Sequence, residues 1–226
     1  MKTFLLFLFA ILPGIIIAGF IYVKDKHEKE PWQLLVKTFV SGIIVMFIAG
    51  LLGFYISSYF DISNSIFLVL FQSFLIIAVI EEGSKYYLLV SDVYHNKEFN
   101  EPFDGITYSV MISMGFATCE NIFYVISGGF ETAMLRMWTA VPAHAIFGVL
   151  MGFFVGLAKF SNNSKRLKFM GFIIAVLFHG AYDFFLIQET SALLEYGAFA
   201  VLMVGILLSF KGIQILNHIS PFKPEI

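Results

Sequence analysis

Glu81, Glu82, Lys85, Glu120, His144, His179 and Asp183 stand in stretches of sequence that are otherwise apolar enough to lie in lipid. Their spacing suits chemistry. Glu81 and Lys85 are four residues apart with the glutamate first, the favourable order for a helical ion pair, and Glu82 and Lys85 are three apart. His179 and Asp183 are again four apart, on one helix face, so that the aspartate can orient the imidazole or share its work as a ligand. Neighbouring carboxylates resist double ionisation, which leaves one of them able to take a proton near neutrality. Histidines can bind a metal or stabilise a developing oxyanion. This set suits water activation and amide hydrolysis. The zinc-protease pattern H-E-x-x-H is absent, as are G-x-S-x-G and a Y-D…G-x-G-D aspartyl pair. A glutamate-dependent or unconventional metal mechanism remains.

An ionisable group in a membrane-spanning helix costs at least ~2.5–3.5 kcal/mol on insertion scales, so several of them call for a common reason. Taken singly, each has a structural alternative. Lys85 and one glutamate can be a packing ion pair, His144 a helix–helix hydrogen bond, His179–Asp183 a packing pair, and Glu120 a cap on a kink. Depth argues for one site. At ~1.5 Å per residue, Glu81 and His179 lie roughly 13–16 Å from the lysine-rich ends of their helices, and Glu120 and Asp183 roughly 22 Å. His144, just after Pro142, enters from the other side at about 9 Å. Cys119 has no basic neighbour in sequence and reads as packing.

The elements that must carry these groups follow from composition. The chain has 226 residues, 59% of them hydrophobic and 13% charged, with a mean hydropathy of +0.85. A soluble domain carries about 25% charged residues. The expectation is an all-α, polytopic transmembrane bundle of about seven helices, a multi-pass protein of the cell membrane, with residues 1–226 as one transmembrane domain. Apolar spans are expected near 3–23, 34–57, 66–90, 105–127, 138–158, 169–188 and 195–215, with 128–137 a surface connector. The first span is too long for a signal peptide, contains Pro13-Gly14 and lacks a clear cleavage site, so it is expected to stay. A net charge of −2 gives no reason to expect a nucleic-acid partner; the partner is the lipid bilayer. Oligomeric state is left open.

Alternating spans put Lys24, Lys26, Lys29, Lys37, Lys97, Lys159, Lys165, Arg166, Lys168, Lys211 and Lys223 on one face, against Lys2 and Arg136 on the other. The positive-inside rule makes the first face cytoplasmic, with the N-terminus outside and the C-terminus inside.

Four motifs in order, "EEGSK" (81–85), "GFATCEN" (115–121), "PAHAIFGVLMGF" (142–153) and "HGAYDF" (179–184), resemble those of the PrsW intramembrane proteases. That family is related to the CAAX prenyl endopeptidases and bacteriocin self-immunity proteins. Their shared pattern is a paired EE, an F-x-x-x-H and an H-x-x-x-N/D. Here Phe116…Glu120 carries Glu in place of the first His, as in the PrsW branch. The resemblance implies a bacterial protease that makes the site-1 cut in a membrane-anchored anti-sigma factor. A second intramembrane protease then releases an extracytoplasmic-function sigma factor for the envelope-stress response. It also implies catalytic roles for Glu81, Glu82 and His179, supported by Lys85, Glu120, His144 and Asp183.

In the expected mechanism Glu81 or Glu82 takes a proton from the attacking water. His179, oriented by Asp183, stabilises the oxyanion or binds a divalent metal such as zinc together with His144 and Glu120. Metal dependence is expected to be weak, because only two histidines are available and carboxylates must complete the set. Two other classes fit buried acidic and histidine groups: an ion- or proton-coupled transporter, and a non-catalytic receptor or immunity protein that binds a peptide.

Overall fold

The computed structural model describes residues 2–60 and 65–224, with the backbone alone described for residues 2–4, so the side chain of Lys2 lies outside the described residues. All regular structure among them is helical. We number seven helices: α1 Lys2–Lys24, α2 Trp32–Ser57, α3 Ile66–Val93, α4 Phe103–Trp138, α5 Ala140–Lys159, α6 Ser164–Ile187 and α7 Ala192–His218. By length and apolarity there are six stretches able to cross a membrane, one of which, Phe103–Lys159, contains both α4 and α5. These two fold against each other as an antiparallel hairpin. Gly105 of α4 meets Gly152 and Gly156 of α5, Ser113 meets Gly148, and Glu120 meets His144. The chain is therefore a multi-pass membrane protein.

The hairpin is the centre of the bundle. The most apolar stretch of Phe103–Lys159 is 78% buried, against 17–33% in the other five. Backbones approach closely there because side chains are missing where they would collide. A Cβ on Gly105, Gly152 or Gly156 would run into the facing helix backbone, and one on Gly115 would strike the Phe39 carbonyl of α2. Small residues at helix contacts are how membrane helices pack when lipid tails are as apolar as their own side chains. The outer faces carry exposed phenylalanines and leucines, such as Phe54, Phe67 and Leu51, expected against lipid.

One expectation is corrected. Residues 128–137 lie largely at the surface but are helical rather than an open connector; α4 runs on to Trp138, broken only at Gly129, whose φ of 71° and ψ of −155° are open to glycine and strained for other residues. The stretch after the break turns back along α4, which brings Arg136 onto Glu120 and Asn121.

The lysine-rich connectors gather at one end. The Asn217 side chain donates to the Lys24 carbonyl, His27 meets the Asn217 carbonyl, Tyr94 bonds Ser164, and Lys37 pairs with Asp92 at 2.8 Å. This clustering accords with seven alternating passes. Reporter fusions at Ser161 and after Lys223 are both expected to report cytoplasm, and an extracytoplasmic signal from either would refute the orientation.

Candidate active site

Helix α3 delivers Glu81, Glu82 and Lys85 on an α-helical segment, Val79–Leu88, bracketed by π-helical turns at Gln72–Ala78 and Leu89–Val93. The wider turns change the angular spacing along α3, so its buried face does not follow a simple 3.6-residue period. Glu82 is fully buried and Glu81 keeps a side chain 17% exposed. Lys85 donates to Glu82 Oε1 at 2.7 Å, while Glu81 Oε2 is 3.8 Å away. The three-residue pair is the close one.

The other helices complete the cluster. From α6, His179 Nδ1 lies 2.8 Å from Glu82 Oε1 and its Nε2 lies 3.3 Å from Asp183 Oδ2 and 3.9 Å from Glu81 Oε2. Its ring stacks on Phe147 of α5 with centroids 4.8 Å apart and planes 17° apart. From α5, His144 receives the Lys85 ammonium at Nδ1, 3.1 Å away, which leaves its Nε2–H to donate to Glu120 Oε2 at 3.0 Å. The two imidazole centroids are 5.2 Å apart. All seven residues singled out by sequence thus meet in one connected network.

Two residues of the site are not identified by the sequence reading. Arg136 Nη2 donates to Glu120 Oε2 at 2.9 Å, its Nε donates to Asn121 Oδ1 at 2.9 Å, and the guanidinium lies over the Tyr124 ring. A lone arginine in a presumed surface connector gave no signal. Its place at the mouth of the site depends on the break at Gly129. Tyr182, from the helix that carries His179, is the second, and its buried hydroxyl has no hydrogen-bond partner.

A cavity of about 470 Å³ opens onto this network, lined by Glu81, Glu120, Arg136, His144, His179 and Asp183 together with a face of α2. That α2 face includes Gly50 and Gly53, and a Cβ at either would meet nothing within 4 Å. A peptide backbone has room to approach here.

The charges do not balance. Glu81, Glu82, Glu120 and Asp183 face the fixed cations Lys85 and Arg136, so an apolar surrounding demands more positive charge. An imidazolium, a protonated carboxylic acid or a divalent ion would supply it. Glu81, His144 and His179 each offer a ligand atom within 4.8 Å of the others. Glu81 Oε2 and Glu82 Oε2 are buried without a hydrogen-bond partner. Three protein ligands beside an open cavity fit a catalytic metal. His179 held by Glu82 and His144 held by Glu120 have the carboxylate support usual for ligating histidines. Glu120 meets Nε2 of His144 and lies outside this group of three, whose carboxylate is Glu81.

The profile of PrsW family intramembrane metalloproteases matches residues 30–210. "Protease PrsW" of Bacillus subtilis (strain 168) is 36% identical over 178 residues, covering 78% of this chain and 80% of that protein. "Protease PrsW" of Clostridioides difficile (strain 630) is 34% identical over 191 residues, covering 81% and 80%. "Protease PrsW" of Shouchella clausii (strain KSM-K16) is 30% identical over 218 residues, covering 96% and 98%. No solved structure matches the chain.

Proposed function

Because the chain belongs to the PrsW family of intramembrane proteases, we propose that it makes the site-1 cut in a membrane-anchored anti-sigma factor, with Glu81 as the catalytic base. The observation that carries the assignment of the base is the contrast within the pair. Glu82 is fully buried and held at 2.7–2.8 Å by Lys85 and His179, whereas Glu81 lines the cavity and lies 3.8 and 3.9 Å from those two groups.

The peptide lies in the cavity along α2 and presents its carbonyl to α5 and α6. A water beside Glu81 loses its proton to that carboxylate as it attacks the carbonyl carbon. His179, held by Glu82 and Asp183 and stacked on Phe147, meets the developing oxyanion. The proton on Glu81 then passes to the leaving amine. Lys85 fixes Glu82 and His144, and Arg136 fixes Glu120, so these two cations hold the groups that in turn orient His179 and His144. A site in the outer half of the bundle suits a cut near the extracytoplasmic surface. Residues 1–226 act as one protease domain in this reading.

Glu81, His144 and His179 would hold a divalent ion, which would polarise the scissile carbonyl and acidify bound water when present. Lys85 already occupies His144 Nδ1, and Glu82, Asp183 and Glu120 engage the other ring nitrogens. An ion must compete with these bonds, so weak retention is expected. Elemental analysis of active, purified protein after EDTA dialysis checks this. Stoichiometric zinc that survives dialysis and disappears with activity in His144→Ala would contradict it. The proposed function is tested by co-expressing a tagged candidate anti-sigma factor with the wild type and with Glu81→Gln.

A further inference from the structure

A second carboxylate cluster lies at the lysine-rich end, about 24 Å from the active site by the sixteen-residue length of α4 between Asp104 and Glu120. Asp25 and Glu30 come from the connector between α1 and α2, Glu101 from the connector between α3 and α4, and Asp104 from the first turn of α4. All four are buried, none more than 3% exposed. Asp25, Glu30 and Asp104 each place an oxygen within 4.8 Å of the others, and the Glu101 carboxyl lies against Asp25.

Few donors serve these groups. The Tyr108 hydroxyl donates to Glu30 Oε2, and the backbone N–H groups of Asn100 and Glu101 donate to Asp104 Oδ2 at 2.7 and 2.8 Å. The Ser220 hydroxyl lies beside Glu101. Both oxygens of Asp25, both of Glu101, Glu30 Oε1 and Asp104 Oδ1 are buried and lack a hydrogen-bond partner. Lys29 is close, but its ammonium donates to the backbone carbonyls of Tyr22 and Asp25. His27 is bonded to the Asn217 carbonyl and Lys159 to that of Tyr94. The four carboxyls are thus crowded together out of water with few donors. Such groups need a counter-charge.

We propose that Asp25, Glu30, Glu101 and Asp104 form a site for a hard divalent cation, Mg²⁺ or Ca²⁺, that clamps the two connectors to the start of α4. The oxygen-only donor set selects hard ions, and Asp25, Glu30 and Asp104 each bring an oxygen within reach of a single ion. No histidine or cysteine belongs to the set, unlike the one around His144 and His179. The clamp fixes the cytoplasmic end of the helix that carries Glu120. It does not rest on the assignment of the base or of the substrate.

The test uses full-length protein in detergent, stripped with EDTA and titrated with MgCl₂ or CaCl₂ while Tm is followed. A His179→Ala background removes the active-site donor set. A hundredfold excess over Kd is expected to raise Tm by roughly 5–10 °C. The shift should persist in His179→Ala and vanish when Asp25→Asn or Glu101→Gln is added. Neutral amides also relieve carboxylate repulsion, so both variants should be at least as stable as their parent without cation. No shift in the parent, or an equal shift in the amide variants, overturns the site and leaves proton sharing among the four acids. If the amide variants do not accumulate, Mn²⁺ paramagnetic resonance on the His179→Ala protein decides. Immobilised Mn²⁺ displaced by Mg²⁺ supports the site, and no bound Mn²⁺ contradicts it.

Discussion

Glu81→Gln is expected to accumulate to wild-type level and to leave the substrate uncut. The fold should tolerate the change because no donor holds the Glu81 carboxylate closely: Lys85 is 3.8 Å away and His179 3.9 Å. The amide keeps the shape of the side chain and loses the ability to accept a proton. Loss of one acid–base group is typically worth ~10²–10⁴ in rate, and more where it also positions the water. Immunoblots of tagged enzyme and substrate measure both quantities in one culture. Full cleavage by this variant would return Glu81 to a structural role.

Glu82→Gln should fail differently, by losing protein. Its carboxylate is fully buried, accepts from Lys85 at 2.7 Å and holds His179 at 2.8 Å. Neutralising it strands the Lys85 ammonium in an apolar interior, at roughly 3–5 kcal/mol for breaking a buried pair. A loss of that size is a large share of the ~5–15 kcal/mol that holds a typical domain together. The protein that survives should also turn over slowly, since His179 has lost its anchor. Lys85→Met is the informative companion. It removes the cation but leaves His179 to pair with Glu82, so reduced abundance with measurable activity per molecule is expected. Activity per folded molecule, from the blot and a detergent-extracted assay, separates these outcomes. If Glu82→Gln accumulates normally and is inactive while Glu81→Gln cuts, the two glutamates have exchanged roles.

Much of this site was legible in the sequence because lipid penalises charge so heavily that buried ionisable residues stand out. The same solvent makes the lysine and arginine count of the connectors informative, and the seven helices accord with it. Which glutamate faces the cavity was not legible. Adjacent residues differ by about 100° around a helix, and the π-helical turns flanking Val79–Leu88 change that spacing. Arg136 was hidden for a related reason. Ten residues between two apolar spans read as a connector, and only the backbone of Gly129 turns them back onto Glu120. The ligand grouping depended on the same geometry: Glu120 reaches one nitrogen of His144, while Glu81 approaches both imidazoles. The acidic cluster around Asp25 drew no attention because connectors between membrane helices are normally polar, and burial there comes only with the packed ends.

Peptide-bond hydrolysis by the cluster around Glu81 is expected to be visible with purified components. The most direct measurement reconstitutes purified wild type and Glu81→Gln in proteoliposomes with a candidate anti-sigma factor, and reads the products by mass spectrometry. The account predicts a single cut near the extracytoplasmic end of the substrate's membrane segment, made by the wild type and absent with Glu81→Gln. Substrate bound by the wild type but never cut, or cut equally by both proteins, would contradict it.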